Sequence, residues 1–295
     1  MIETPIQLGD IPSEQNFNET IKDNFQQLRL NQLFVPIILF TMIFCFFVCA
    51  IQGSFVNTYV ESQKGVFLKL NSILSVYPNF AHNISYLGDA LVLFPFVFIF
   101  LFIKPKLWEA IIISSLFTLI TSAVLKLIFA VPRPAAMINM EAFTIMGRPN
   151  ILHTSLPSGH AMTIFMVISI LLYAFMPKKM SRRIIWTTLL ITIGLIIGFS
   201  RVAVGAHYPL DVVVGCILGY IMAIFGIKIT TKLNWLNWLK NRKFYPFIML
   251  IFSIWGYLIS LKLIKHNMVI FYLSLSALIV TFFILIYKYV KTAKA

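Results

Sequence analysis

The chain has 295 residues, of which 59% are apolar and only 12% charged, with a formal net charge of +14. Charged residues make up about 25% of ordinary soluble domains, so a water-soluble globular protein is excluded. Runs near 20 apolar residues, each enough to cross a bilayer core of about 30 Å, make this a polytopic, all-α membrane protein in contact with the lipid bilayer. The basic balance is read as cytoplasmic loops facing anionic lipid, and no nucleic-acid partner is expected.

Residues 1–32 form a polar tail holding five of the ten acidic residues. Phe17, Ile21, Phe25 and Leu28 recur in it at helical spacing and predict a short helix lying on the membrane surface. No cleavable signal peptide is visible, so the first span, over 33–51, reads as an uncleaved anchor. Residues 52–87 are mixed in character and leave room for short amphipathic helices on the far side. A second span covers 89–103, opened by Asp89 as a helix cap or a functional carboxylate. Further spans cover 108–131, 158–176, 184–200 and 208–227, with a polar, proline-rich loop over 132–157. The region 33–227 is thus a six-span unit. A basic linker, 228–243, leads to two additional spans over 244–261 and 268–287 within a C-terminal region, 244–295, giving about eight spans in total. The three cysteines suggest no disulfide framework. Cys45, Cys49 and Cys216 all sit in apolar runs and are expected to be buried small hydrophobes.

With the N-terminus inside, 16 of the 24 lysines and arginines fall in cytoplasmic segments, so both termini are predicted cytoplasmic. At 1.5 Å per residue, Lys126 lies about 27 Å from the inner end of its span, and His160 lies as far from Lys178. Arg201 and His207 stand at similar distances from basic inner ends. Lys126, His160, Arg201 and His207 are therefore expected at one depth on the outer face, with Arg133 entering from the adjoining loop. Ionisable groups at a membrane edge are costly, which makes their convergence a functional expectation.

The chemistry those residue types suggest is specific. His207 and Asp211 stand four residues apart, and a helix begun at Pro209 puts them on one face. A carboxylate behind an imidazole fixes its tautomer and stabilises the imidazolium. The alternative is a solvated interface loop. In Pro157-Ser158-Gly159-His160, Ser158 is a suitable N-cap, Gly159 permits close approach to the backbone, and free amides at a helix start attract anions. The alternative there is an ordinary capped helix. Three cations with a helix N-terminus describe a phosphate site. Two histidines supply attack and leaving-group protonation. A metal site is not expected, because Asp211 is the only carboxylate strongly placed and three cations oppose a divalent ion.

Lys126 followed after six residues by Arg133-Pro134, then Pro157-Ser158-Gly159-His160, then Ser200-Arg201 with five residues before His207 and three more before Asp211, resembles the three-part signature of the type 2 phosphatidic acid phosphatase superfamily. The resemblance covers about 89–227. It implies a six-span catalytic core in which His207 is the nucleophile that becomes phosphorylated. Asp211 would orient it, and His160 would serve as general acid and then as base. Lys126, Arg133, Ser158, Gly159 and Arg201 would bind the phosphoryl group. It implies no metal and no cofactor. The expected protein is a phosphatase of a membrane lipid phosphate, of the undecaprenyl diphosphate, phosphatidylglycerophosphate or lipid A type, in a bacterial inner membrane with its site facing the periplasm. A lipid-to-lipid phosphotransferase and, in a different class, a lipid or anion transporter are the alternatives. The oligomeric state and the role of the last two spans are not legible.

Overall fold

The computed structural model describes residues 14–50, 54–101 and 104–291. Among the described residues there is no strand. The helices are α1 (Glu14–Gln27), α2 (Phe34–Ala50), α3 (Phe55–Leu74), α4 (Pro78–Ser85), α5 (Ala90–Phe98), α6 (Pro105–Phe129), α7 (Pro134–Met137), α8 (Gly159–Ala174), α9 (Met180–Ala203), α10 (Pro209–Thr230), α11 (Tyr245–His266) and α12 (Val269–Lys291). The six built on α2, α6, α9, α10, α11 and α12 are long and apolar enough to cross a bilayer.

Two expected spans take a different form. The run over 89–103 is not one straight helix; α4 and α5 meet at 73° around Asp89 and make a further crossing only as a bent pair. A 3₁₀ turn, Tyr86–Gly88, ends the first limb, and the Asp89 carboxylate starts the second by accepting the Leu91 amide at 3.0 Å. The helix α8 has 16 residues, about 24 Å, and is shorter than a full crossing. It needs no full length of its own because protein surrounds it.

The centre of the bundle is α8 packed on α10, with α6 beside them. Glycines set their separation. A methyl group on Gly215 would stand 2.7 Å from the Ser158 carbonyl oxygen, and one on Gly219 would overlap the Met162 carbonyl. Gly226 faces Ser114 of α6 in the same way. In hydrocarbon, where water supplies no driving force between helices, such close backbone approach is what holds helices together. At the other extreme, α2 turns most of its surface outward, and Cys45 and Cys49 are exposed on it, whereas Cys216 is buried. The expectation that all three are buried fails for those two because apolar residues in a membrane chain face lipid as well as core.

The amphipathic N-terminal segment also differs from its expectation. Ile21, Phe25 and Leu28 of the α1 region are buried in the main apolar cluster, and Asn24 donates to the Ala174 carbonyl at 3.0 Å. The apolar face meets the end of α8 rather than lipid. The last two helices form a hairpin that packs on α5.

Replacing Gly219 by Val should force α8 and α10 apart at a cost of about 1–3 kcal/mol. The expected result is earlier loss of the monodisperse peak on heating in detergent. Gly65→Ala, which meets nothing within 4 Å, should leave that profile in place.

Candidate active site

The link between α9 and α10 carries His207. Gly205 turns the chain with φ +75°, and a side chain there would strike the Thr144 carbonyl and the Phe143 ring. Asp211 sits in the first turn of α10 with none of its surface exposed, and four donors surround its carboxylate. The Tyr59 hydroxyl reaches Oδ1 at 2.7 Å. The Ser155 hydroxyl at 2.5 Å, the Tyr208 amide at 2.8 Å and the His207 Nδ1 at 3.4 Å reach Oδ2. The His207 contact is the longest, so the carboxylate is held chiefly by the other three and is already in position behind the ring. Nδ1 faces Asp211, which leaves Nε2 as the ring nitrogen on the opposite side. Burial pushes the His207 imidazole well below its ordinary range, and Arg133, Arg201 and Lys126 push it further. A neutral imidazole with a free lone pair is the form able to attack phosphorus.

The cations come from three places. Lys126 closes the last turn of α6, and its Nζ lies 3.4 Å from where a methyl group on Gly159 would stand. Arg133 follows in the loop, its Nη1 donating to the Ala206 carbonyl at 3.3 Å. Arg201 ends α9 and donates to the Ser85 hydroxyl. All three act electrostatically on His207, and Lys126 also on the two arginines. None of the three pairs with a carboxylate among the described residues. Among the described residues, the Nε of Arg133 and that of Arg201 are buried with no hydrogen-bond partner. An unpaired buried donor costs about 1–3 kcal/mol, a penalty that an oxyanion among these groups would relieve.

The start of α8 completes the cluster. Ser158 is fully buried, its hydroxyl accepting the Ala161 amide at 3.4 Å and its amide donating to the Asp211 carbonyl at 2.9 Å. Ser158 is therefore a cap that also locks α8 to α10. Gly159 opens α8 and gives Lys126 room beside the first helical amides. His160 is next, within electrostatic reach of Arg201, His207 and Arg133. The structure thus brings together all eight residues singled out from the sequence: Lys126, Arg133, Ser158, Gly159, His160, Arg201, His207 and Asp211. Asp89 lies outside this cluster as a cap. Arg148 and His153 are exposed.

Sequence reasoning missed Tyr59, Gln63, Ser85 and Ser155. Gln63 accepts the Leu210 amide at 2.8 Å and donates to the Tyr59 carbonyl at 3.1 Å, which joins α3 to the start of α10. A signal was present: Tyr59, Gln63, Phe67 and Asn71 recur every fourth residue and are all buried.

Residues 106–235 match the PAP2 superfamily. That stretch, a little under half of the chain, is similar to the superfamily. Its similarity to an undecaprenyl-diphosphatase of Sulfolobus acidocaldarius is 30% identity over 125 residues, 42% of this chain and 55% of that protein. With the bacitracin transport permease protein BcrC of Bacillus licheniformis it shares 34% over 83 residues, 28% of this chain and 37% of that one. The chain therefore spans about half or less of the length of these curated relatives. A crystal structure of Aquifex aeolicus LpxE is 29% identical, covering 56% of this chain and 94% of that one, with a TM-score of 0.47. The PAP2 match takes in α6 to α10 and leaves out α1 to α5, α11 and α12.

Removing a cation beside His207 should move its titration in a defined direction. Arg133→Ala takes away a positive neighbour that disfavours the imidazolium, so the His207 pKa should rise. If neutral His207 is required for phosphate release, the acidic limb of the kcat/KM–pH profile should shift to higher pH in this variant. Wild type should keep activity to lower pH, losing it only as His207 protonates below its ordinary value of 6.5.

Proposed function

We propose that this chain is a membrane lipid phosphatase that hydrolyses a phosphate monoester or diphosphate of a membrane lipid through a phosphohistidine on His207. The observation that carries the reading is a buried His207 backed by Asp211, facing cations with no carboxylate partner among the described residues. In this reading Lys126, Arg133 and Arg201, with Ser158 and the Gly159 amide, hold the phosphoryl oxygens. The Nε2 lone pair of His207 forms the P–N bond as the P–O bond to the lipid breaks, and His160 gives a proton to the departing oxygen. Asp211 stabilises the positive charge that develops on the ring. Water then attacks phosphorus, His160 takes its proton, and the P–N bond breaks to release phosphate and neutral His207. Phosphoryl transfer asks mainly for positioning and charge stabilisation, both of which these residues supply. Charge stabilisation is assigned to the cations, not to a metal, since the one carboxylate in the cluster already holds its hydrogen bonds to protein.

A lipid substrate also needs a path for its tail. An apolar groove of about 300 Å³ between α4 and α9, lined by Phe80, Ile84, Leu195 and Phe199, runs up to Ser200. Ser200 precedes Arg201, and Ile84 precedes its partner Ser85. The groove is thus lined by chain neighbours of the phosphate cluster, and we assign it to the lipid tail. The name of the Sulfolobus relative makes a polyprenyl diphosphate the first substrate to test, followed by phosphatidylglycerophosphate and lipid A. The excess of lysine and arginine in the assigned cytoplasmic segments favours cytoplasmic termini and a site open to the opposite face, which in the bacterial inner membrane we propose is the periplasm.

Purified protein in detergent with chelator should release free phosphate from at least one of these lipids. His207→Ala should abolish release, and Arg201→Ala should lower it by about 10²–10³, the range for a lost oxyanion donor. Label passed to a second lipid in place of water would instead mark a phosphotransferase. Activity untouched in His207→Ala proteoliposomes would fit a transporter and end the enzyme reading.

A further inference from the structure

The C-terminal hairpin lies outside the PAP2 match and packs along α5, and its hydrogen bonds and ion pair to that region gather at the bend between α4 and α5. Lys262 of α11 forms an ion pair with Asp89, the residue at the pivot. Trp255 Nε1 donates to the Leu91 carbonyl at 2.8 Å, and the Ser274 hydroxyl of α12 to the Val92 carbonyl at 2.9 Å. The Ile270 amide donates to Asn83 Oδ1 at 3.1 Å, on the other limb of the bend. The Phe271 ring packs on Tyr86 with centroids 4.8 Å apart. Asp89 also caps α5 through Leu91, so its carboxylate joins the hairpin to the helix start.

The bend in turn bears on His160. Gly88 is buried against it: a methyl group there would stand 2.5 Å from His160 Cβ and 3.0 Å from Cδ2. Nothing larger than glycine fits between the bend and the imidazole. Ser85, three residues earlier, holds Arg201. One segment of seven residues, 83–89, is thus fastened by the hairpin on one side and supports two groups of the cluster on the other. Lys262 is also close enough to act electrostatically on His160.

From this we infer that the α11–α12 hairpin is a positioning element for the leaving-group side of the site, with Lys262 as the residue that fixes the Asp89 pivot and through it the His160 imidazole. The inference rests on the phosphatase reading, in which His160 protonates the departing oxygen. An imidazole displaced by even a fraction of an ångström donates its proton poorly, while His207 and its attack are governed by other contacts.

Leaving-group dependence separates this role from general stability. A lipid phosphate monoester, such as phosphatidylglycerophosphate, loses a strongly basic alkoxide and needs a proton, whereas a lipid diphosphate loses a phosphate and needs one far less. An aryl phosphate such as p-nitrophenyl phosphate departs as a stable anion and hardly needs one. The kcat/KM value reports the steps up to leaving-group departure and is the quantity to compare. In the full chain in detergent, Lys262→Met should lower kcat/KM on a lipid phosphate monoester by about tenfold or more, a fraction of the usual 10²–10⁴ general-acid contribution, and on the aryl phosphate by less than about twofold. Lys262→Arg should restore the lipid value. Trp255→Phe, which removes the donor to Leu91, should show the same split at smaller size. Equal losses on both substrates, or no loss on either, would overturn the positioning role while leaving the phosphatase reading in place. A wild-type protein inert toward both substrates would overturn the phosphatase reading and this inference with it.

Discussion

The buried Asp211 carboxylate is the interaction on which the rest depends. A charge with no exposed surface inside an apolar bundle is tolerated only where donors surround it. Here they come from three separate parts of the chain: Tyr59 on α3, Ser155 in the loop before α8, and Tyr208 with His207 at the start of α10. Leaving any one unpaired is expensive, so satisfying the carboxylate also fixes how α3 and the loop meet α10. The imidazole of His207 is then set against an acceptor that does not have to move.

Close helix packing makes that arrangement stiff. Gly215 and Gly219 allow the backbone of α8 to lie on α10, and the Ser158 amide bonds to the Asp211 carbonyl at that contact. The N-terminus of α8 and the start of α10 therefore form one block. Lys126 and Arg201 reach it from the ends of their own helices, and Arg133 is tied to the same link through the Ala206 carbonyl. Cations from several elements converge because the polar ends of apolar helices gather on one side of a bundle.

Much of the cluster was legible because membrane chains carry few ionisable residues, so each one in or beside an apolar run stands out. The spacing of His207 and Asp211 within a helix start needed only local geometry. Tyr59 and Ser155 did not stand out, because a tyrosine or serine near a span is ordinary. Their meaning comes from Asp211, 152 and 56 residues away. The bend at Asp89 was hidden for a related reason: apolar composition over 89–103 reads the same for a straight helix and for the second limb of a bent one. The burial of Cys45, Cys49 and the α1 face was misjudged or left open because hydrophobicity does not distinguish a lipid-facing surface from a protein-facing one.

Composition and local spacing specify an all-α membrane bundle, the order of its apolar helices, and a set of cations and histidines at helix ends, since each follows from residue content or from contacts within a turn or two. Which helices form the centre, the hydrogen bond from α3 to Asp211, and the packing of the last two helices on the bend beside His160 emerge only in the folded chain. Those are contacts between distant segments, and they are chosen by shape and by the satisfaction of buried polar groups, neither of which is written in local periodicity.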